Sequence, residues 1–273
     1  MLTIAHLTVY EAMRRRVLLA ALLCGLAFLA VFGVGISLAG AELAREADLV
    51  RRQVTLTMMT VVGLYAATFL SALLAVLLPV DTVSGEIDSG VMQTLAAKPI
   101  ARSEILLGKW LAHAGIVSGY LLFVASGVVL AGWLAAGHRQ VNLHRALPLL
   151  VLEVVLLVTV SIAGGTRLST VTNGIAALGF YGVAFIGGWV EQIGGMTGVR
   201  SARTLGTIAS LVSPPDALWR RAAWELQPPL VRDLGESAFT AASVPSALAV
   251  WWAAGFTAAV LAWAMRSFQR RPL

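Results

Sequence analysis

The chain is poor in charge and in cysteine. Only 12% of its 273 residues are charged, whereas 58% are hydrophobic and the mean hydropathy is +0.83. A soluble domain of this length would need far more polar surface to cover its core, so the composition indicates an integral membrane protein. Cys24 is the single cysteine, which excludes an internal disulfide framework and a cysteine metal site.

Signatures of common enzymes are missing as well. The four histidines show no spacing typical of metal ligands, and there is no Gly-x-Ser-x-Gly nucleophile elbow. There is also no Gly-x-x-x-x-Gly-Lys-Ser/Thr phosphate loop, so ATP binding in the P-loop manner is not expected. We therefore expect no catalytic site, no metal and no cofactor in this chain.

The net charge of +6 would suggest a nucleic-acid partner in a soluble protein. Here the basic residues mostly flank apolar runs, as at Arg14–Arg16 and Arg270–Arg271. Anchoring at anionic lipid headgroups explains this placement, so we predict a bilayer partner and no nucleic acid.

Six segments are long and apolar enough to cross a bilayer, which takes about 20 residues. They must be helical, because hydrocarbon offers no water to exposed peptide groups. The first run exceeds the ~7–15 residues of a signal-peptide core, so we expect it to be retained. The prediction is an all-α, polytopic protein forming a single transmembrane domain over residues 1–273. The predicted spans are residues 17–39, 56–78, 106–136, 146–163, 171–190 and 247–265.

Charge predicts the orientation. With both termini in the cytoplasm, the short cytoplasmic segments carry ten basic residues, against five in the short segments opposite. The long segment 191–246 carries five more, but long segments weigh less in the positive-inside rule. We therefore expect the cell's inner (cytoplasmic) membrane, with both termini cytoplasmic and residues 191–246 as an extracytoplasmic lid.

Two flanking regions are predicted to hold short helices. Apolar residues recur at about one helical turn in residues 1–16, which fits an amphipathic helix at the membrane interface; a solvated tail is the alternative. In segment 191–246, two proline pairs break the helix, and Ser213 or Asp216 can cap a new one. Re-entrant or surface helices are expected there, before the last span.

Glu153 lies within the fourth span, where an ionised carboxylate costs a few kcal/mol. It either faces a protein interior or a water-filled path, or reaches the interface. We treat it as a possible pathway residue.

Residues 77–109 gather charge between two spans. Pro79 ends one span, and Asp81 and Ser84 can cap a new helix after it. Apolar residues at helical spacing from Ile87 predict a helix of about three turns that Pro99 stops. Acidic residues on such a helix suit docking to a soluble partner, although an ordinary cytoplasmic loop fits equally. The charged residues are Asp81, Glu86, Asp88, Lys98, Arg102, Glu104 and Lys109.

This stretch resembles the cytoplasmic loop of ABC type-2 exporter permeases. The six spans, the N-terminal helix and the "LVSPPDALWR" segment are also similar to that family, so the resemblance covers nearly the whole chain. Val91 departs from the Thr or Ser that the family commonly has. Among subgroups, the chain is most similar to the six-span permeases related to the nitrous-oxide-reductase maturation exporter. The matching residues are Glu86, Asp88, Gly90, Leu95, Pro99, Arg102, Ile105, Leu106, Gly108 and Lys109.

The resemblance implies that residues 81–104 form a coupling loop seated in a cleft of an ATPase subunit. Glu86 and Asp88 would contact the ATPase, Gly90 would permit close approach, and Pro99 would set the angle of the next span. Two ATPase subunits, carrying ATP and Mg²⁺, would drive two permease copies, or this chain and a sister permease. The exported substrate is not identified. The implied coupling residues are Asp81, Glu86, Asp88, Gly90, Gln93, Leu95, Pro99 and Arg102.

Two other functions remain open from the residues. A secondary transporter or channel would be expected to show more intramembrane ionisable residues or paired broken helices. A non-transporting scaffold of a maturation complex would also use a docking loop.

Overall fold

The computed structural model describes residues 1–45, 48–90, 101–229 and 244–271. Within these ranges all regular structure is helical, in ten helices. They are α1 (Leu2–Met13), α2 (Arg16–Leu43), α3 (Leu49–Leu77), α4 (Ser84–Asp88), α5 (Arg102–Ala136), α6 (Leu143–Gly165), α7 (Thr170–Thr197), α8 (Arg200–Val212), α9 (Pro215–Leu226) and α10 (Ala247–Gln269).

Six helices are long and apolar enough to span a membrane: α2, α3, α5, α6, α7 and α10. Each contains the apolar run predicted for it or overlaps most of it, so the all-α, six-span architecture is confirmed. The helices are longer than the predicted apolar runs, because polar residues can form and cap the last turns of a helix. In α3, for example, Asp48 caps the first turn by accepting from the Val50 and Arg51 amides at 2.9 and 3.2 Å.

The packing places α3 and α6 at the centre. In each, 61% of the apolar window is buried inside the protein, compared with 11% in α2 and 17% in α10. Fully buried branched side chains such as Leu64, Val124 and Leu157 fill the shared core. The exposed apolar faces of α2 and α10 are those that lipid or another subunit would cover.

The N-terminal segment is helical, as predicted, and packs on α5. Its buried face holds small side chains, and a Cβ at Gly108 of α5 would lie 2.9 Å from the Ile4 Cβ. The apolar residues whose spacing predicts this helix are Leu2, Ala5, Val9 and Met13. Of these, Ala5 is buried, whereas Leu2 and Met13 are exposed, and the position of α1 at a membrane interface stays a prediction.

The segment before α10 forms a re-entrant hairpin. Helix α8 folds back along α7, since a Cβ at Gly187 would meet Ala209 and one at Gly194 would lie 2.9 Å from the Ala202 Cβ. At its tip Ser213 donates a hydrogen bond to the Phe180 carbonyl at 2.7 Å, ten residues from the start of α7. Helix α9 then returns towards the α5–α6 connection. The short helices predicted before the last span are therefore present.

Candidate functional site

The proposed coupling region begins directly after α3. Its helix α4 is a single turn, Ser84–Asp88, and Gly90 follows with φ of +76°, a left-handed conformation that favours glycine. Helix α4 therefore ends before Gly90, and most of the three-turn helix predicted from Ile87 to Pro99 lies outside the described residues. Residues 91–100, which include the predicted coupling residues Gln93, Leu95 and Pro99, lie outside the described residues.

The Asp81 carboxylate forms an ion pair with Arg15, the N-cap residue of α2. Arg15 also binds Glu11 of α1 at 2.6 Å. Asp81 is 42% exposed on its side chain, so solvent screens the pair and it contributes little stability. The ion pair instead constrains the position of the loop, because it links the loop after α3 to the α1–α2 junction.

Glu86 is paired within the chain. Its carboxylate binds Lys109 of α5, and the two side chains are only 13% and 4% exposed. Burial raises the pKa of Glu86 although Lys109 opposes that change. The family resemblance implies a contact of Glu86 with the ATPase, which stays a prediction; within the chain, Glu86 holds α4 against α5. Asp88 ends α4, and its side chain is outside the described part of the structure.

Further hydrogen bonds attach this loop to α5 and α7. The Thr82 hydroxyl lies 3.1 Å from His113 Nε2, and His113 Nδ1 lies 2.8 Å from the Lys109 carbonyl. The Ser84 and Thr170 hydroxyls are 2.9 Å apart. The loop is thus fixed to two spans besides the one that precedes it.

Asn173 is the functional candidate that sequence reasoning missed, since its position beside a turn had an ordinary loop explanation. Its side chain is buried and donates to the Val80 carbonyl at 3.0 Å and to the Ser161 carbonyl at 2.9 Å. One amide therefore joins α7, α6 and the loop after α3. The sequence signal that could have revealed this role is a polar amide near the start of an otherwise apolar helix.

Arg102 lies at the start of α5 and donates to the Arg271 carbonyl at 2.8 Å. Arg271 in turn donates to the Thr166 carbonyl at 2.7 Å. The predicted coupling residue Arg102 thus connects α5 to the end of α10 and to the α6–α7 turn.

An open depression lies beside α4, with a volume of about 400 Å³. Acidic side chains and Arg15 form its wall, so it can receive a polar or basic side chain. Its lining residues are Glu11, Arg15, Asp81, Gly85, Glu86 and Ser89.

Glu153 does not reach an interface. It lies ten residues after Leu143 and twelve before Gly165, at the middle of α6, and is 2% exposed. Its Oε2 atom has no hydrogen-bond partner among the residues that the structure describes. Of the two positions considered from the sequence, the interior one is correct; a pathway role stays a prediction.

Comparison with known proteins identifies the family. The sequence model of the family described as "ABC-2 family transporter protein" matches residues 2–215 of the 273. The chain belongs to this family. The resemblance found in the sequence is thereby confirmed, and the chain is a transmembrane subunit of the ABC transporter class.

Two curated relatives of this ABC-2 family chain are each named "Probable ABC transporter permease protein NosY". The one from Pseudomonas aeruginosa is 34% identical over 116 residues, which are 42% of this chain and 39% of the relative. The one from Stutzerimonas stutzeri is 34% identical over 124 residues, 45% of this chain and 42% of the relative. The matches thus span about two fifths of each relative's length.

The family match of this ABC-2 chain includes α4 and Glu153 and ends at Pro215, the first residue of α9. The proposed coupling region therefore lies inside the matched residues, whereas most of α9 and all of α10 lie beyond them.

Proposed function

We propose that this chain is the membrane-spanning permease subunit of an ATP-driven exporter. Two ATPase subunits, which carry ATP and Mg²⁺, dock beneath two permeases, either two copies of this chain or one copy with a sister chain. Their closure on ATP moves the loop around α4, and the spans repack so that substrate leaves outward. The chain lies in the inner membrane with both termini in the cytoplasm, and the α8–α9 hairpin forms the outward lid.

The observation that carries this proposal is the attachment of α4 to several spans. Glu86 binds Lys109 of α5, Ser84 lies against Thr170 of α7, and Asn173 reaches the loop backbone at Val80. A buried charge pair and buried hydrogen bonds resist relative movement, because breaking them leaves polar groups unsatisfied. A force on α4 is therefore passed to the spans.

The roles of the acidic residues follow from these contacts. Glu86 serves as a positioning residue that holds α4 on α5, and Asp81 holds the loop on the α1–α2 junction. Asp88, at the end of α4, is the acidic residue that we assign to the ATPase contact. Gly90, Gln93, Leu95, Pro99 and Arg102 complete the proposed coupling set.

The test uses the full chain reconstituted with its partner P-loop ATPase, which is sought first in the neighbouring reading frames. We expect Asp88→Ala combined with Glu86→Ala to lower permease-stimulated ATP hydrolysis about tenfold, which corresponds to about 1.4 kcal/mol of coupling free energy. Glu42→Ala is the matched control, because it removes an exposed acid at the far end of α2. The proposal is wrong if the double variant inserts normally and stimulates hydrolysis as the wild type does.

A further inference from the structure

The tip of the re-entrant hairpin meets the middle of α6 at a group of buried charges. Arg220 of α9 donates from Nε to Asp216 at 2.8 Å and from Nη2 to Glu191 of α7 at 2.9 Å. The side chains of Arg220, Asp216 and Glu191 are 5%, 13% and 8% exposed. Glu153 of α6 lines the same cavity as Asp216.

The two carboxylates that line this cavity are not equally paired. Asp216 binds Arg220, whereas Glu153 Oε2 has no hydrogen-bond partner among the described residues. Buried unpaired carboxylates cost several kcal/mol, so a further positive charge is required.

The cavity between Glu153 and Asp216 has the size and lining for such a charge. Its volume is about 10 Å³, enough for one water-sized particle. Hydroxyl-bearing side chains from α3 and α7 line it together with the two acids, and aromatic rings complete the wall. The hydroxyls belong to Tyr65, Thr68 and Tyr181, and the rings to Phe69, Phe185 and Trp219. Oxygen donors suit hard cations and protons. A divalent ion needs six or more oxygen ligands or retained waters, for which this space is too small.

The described helices α5 and α10, which also pack on α6, bring no other charge to this point. On α10, Arg266 is the only titratable or charged residue and lies in the last turn. The charged residues and the histidine of α5 lie in its first twelve residues, and Tyr120 donates to Ala21 of α2 at 2.9 Å. Burial raises the pKa of Asp216 to about 6 although Arg220 opposes that change.

We propose that Glu153 and Asp216 hold one monovalent cation, a proton or a sodium ion, midway across the membrane. The cation joins α6 to the tip of the α8–α9 hairpin, so its binding holds the lid helix α9 in place. The site needs no ATPase, and its test is therefore independent of the proposed transport function.

The experiment measures thermal unfolding of the purified full chain in lipid nanodiscs. Sodium chloride is compared with choline chloride at pH 8 and equal ionic strength, and a series from pH 7 to pH 9, above the range in which Asp216 titrates, is recorded without sodium. In the sodium case, Tm rises by about 3–5 °C when sodium is at about ten times its dissociation constant. In the proton case, sodium has no effect, Tm falls as pH rises, and infrared spectra at pH 7 show a protonated carboxyl band.

Glu153→Gln should remove whichever response the wild type shows, because a neutral amide replaces the carboxyl group at nearly the same size. Glu42→Gln, at an exposed position, should leave the response unchanged. The proposal is overturned if Glu153→Gln keeps the full response. It is overturned equally if the wild type shows neither a sodium effect nor a protonated carboxyl band, a result that needs no variant to fold.

Discussion

Removing one charge from the Lys109–Glu86 pair should destabilise the protein more than removing both. The side chains are 4% and 13% exposed, so either single change leaves a charged or strongly polar group in a poorly solvated place. Breaking a buried ion pair from one side typically costs about 3–5 kcal/mol. We expect about 3 kcal/mol for Lys109→Met, which leaves Glu86 without a cation.

Glu86→Gln should cost less, about 1–2 kcal/mol. Burial already raises the pKa of Glu86, so its neutral form is tolerated, and the glutamine carbonyl can still accept from Lys109. In the double variant no charge remains, and we expect a loss of about 1 kcal/mol. The sum of the single losses then exceeds the double loss by about 3–4 kcal/mol, which is the coupling between the two residues.

The assay is reversible unfolding in a series of detergent mixtures at constant pH, with Glu11→Gln as the control. Glu11 pairs with Arg15 but is 51% exposed, so its loss should cost under about 1 kcal/mol. If the losses at positions 86 and 109 simply add, within about 0.5 kcal/mol, the pair does not hold α4 and the reasoning is refuted. Lys109→Met should also weaken ATPase stimulation, whereas a direct contact of Glu86 with the ATPase would leave that stimulation unchanged.

Two further outcomes can be measured on the purified chain. Because the pKa of Asp216 is raised from 3.8 to about 6, the folded protein holds this proton more tightly than the unfolded chain. Stability should therefore fall by roughly 3 kcal/mol as pH rises between these values and level off above, and Asp216→Asn should remove that slope in pH-dependent melting. Gly187→Ala should lower Tm because its Cβ would meet Ala209, whereas Gly179→Ala, with open space, should leave Tm unchanged or slightly raised.

Much of the architecture follows from local patterns. A run of about 20 apolar residues must become a spanning helix, because an unpaired peptide group in hydrocarbon is too costly. The helix break before α9 is predictable for a similarly local reason, because proline supplies no amide hydrogen inside a helix. Charge located the proposed coupling region in the sequence, and the spacing of its acids, glycines and proline indicated the family.

The partners of individual side chains could not be found in this way. Nothing local distinguishes Glu86 facing an ATPase from Glu86 facing Lys109, which is 23 residues away and on another helix. The Asn173 amide likewise finds its two acceptors only where three segments of the chain meet.

The sequence by itself determined which segments enter the membrane, because the cost of burying peptide groups depends on each segment alone. Tertiary structure decided which charges meet. Helix α9 packs against the middle of α6, and this places Asp216 and Glu153 around one cavity although they are 63 residues apart in the chain. Electrostatic interactions grow strong only at short distance in a medium of low dielectric constant, and helix packing sets those distances.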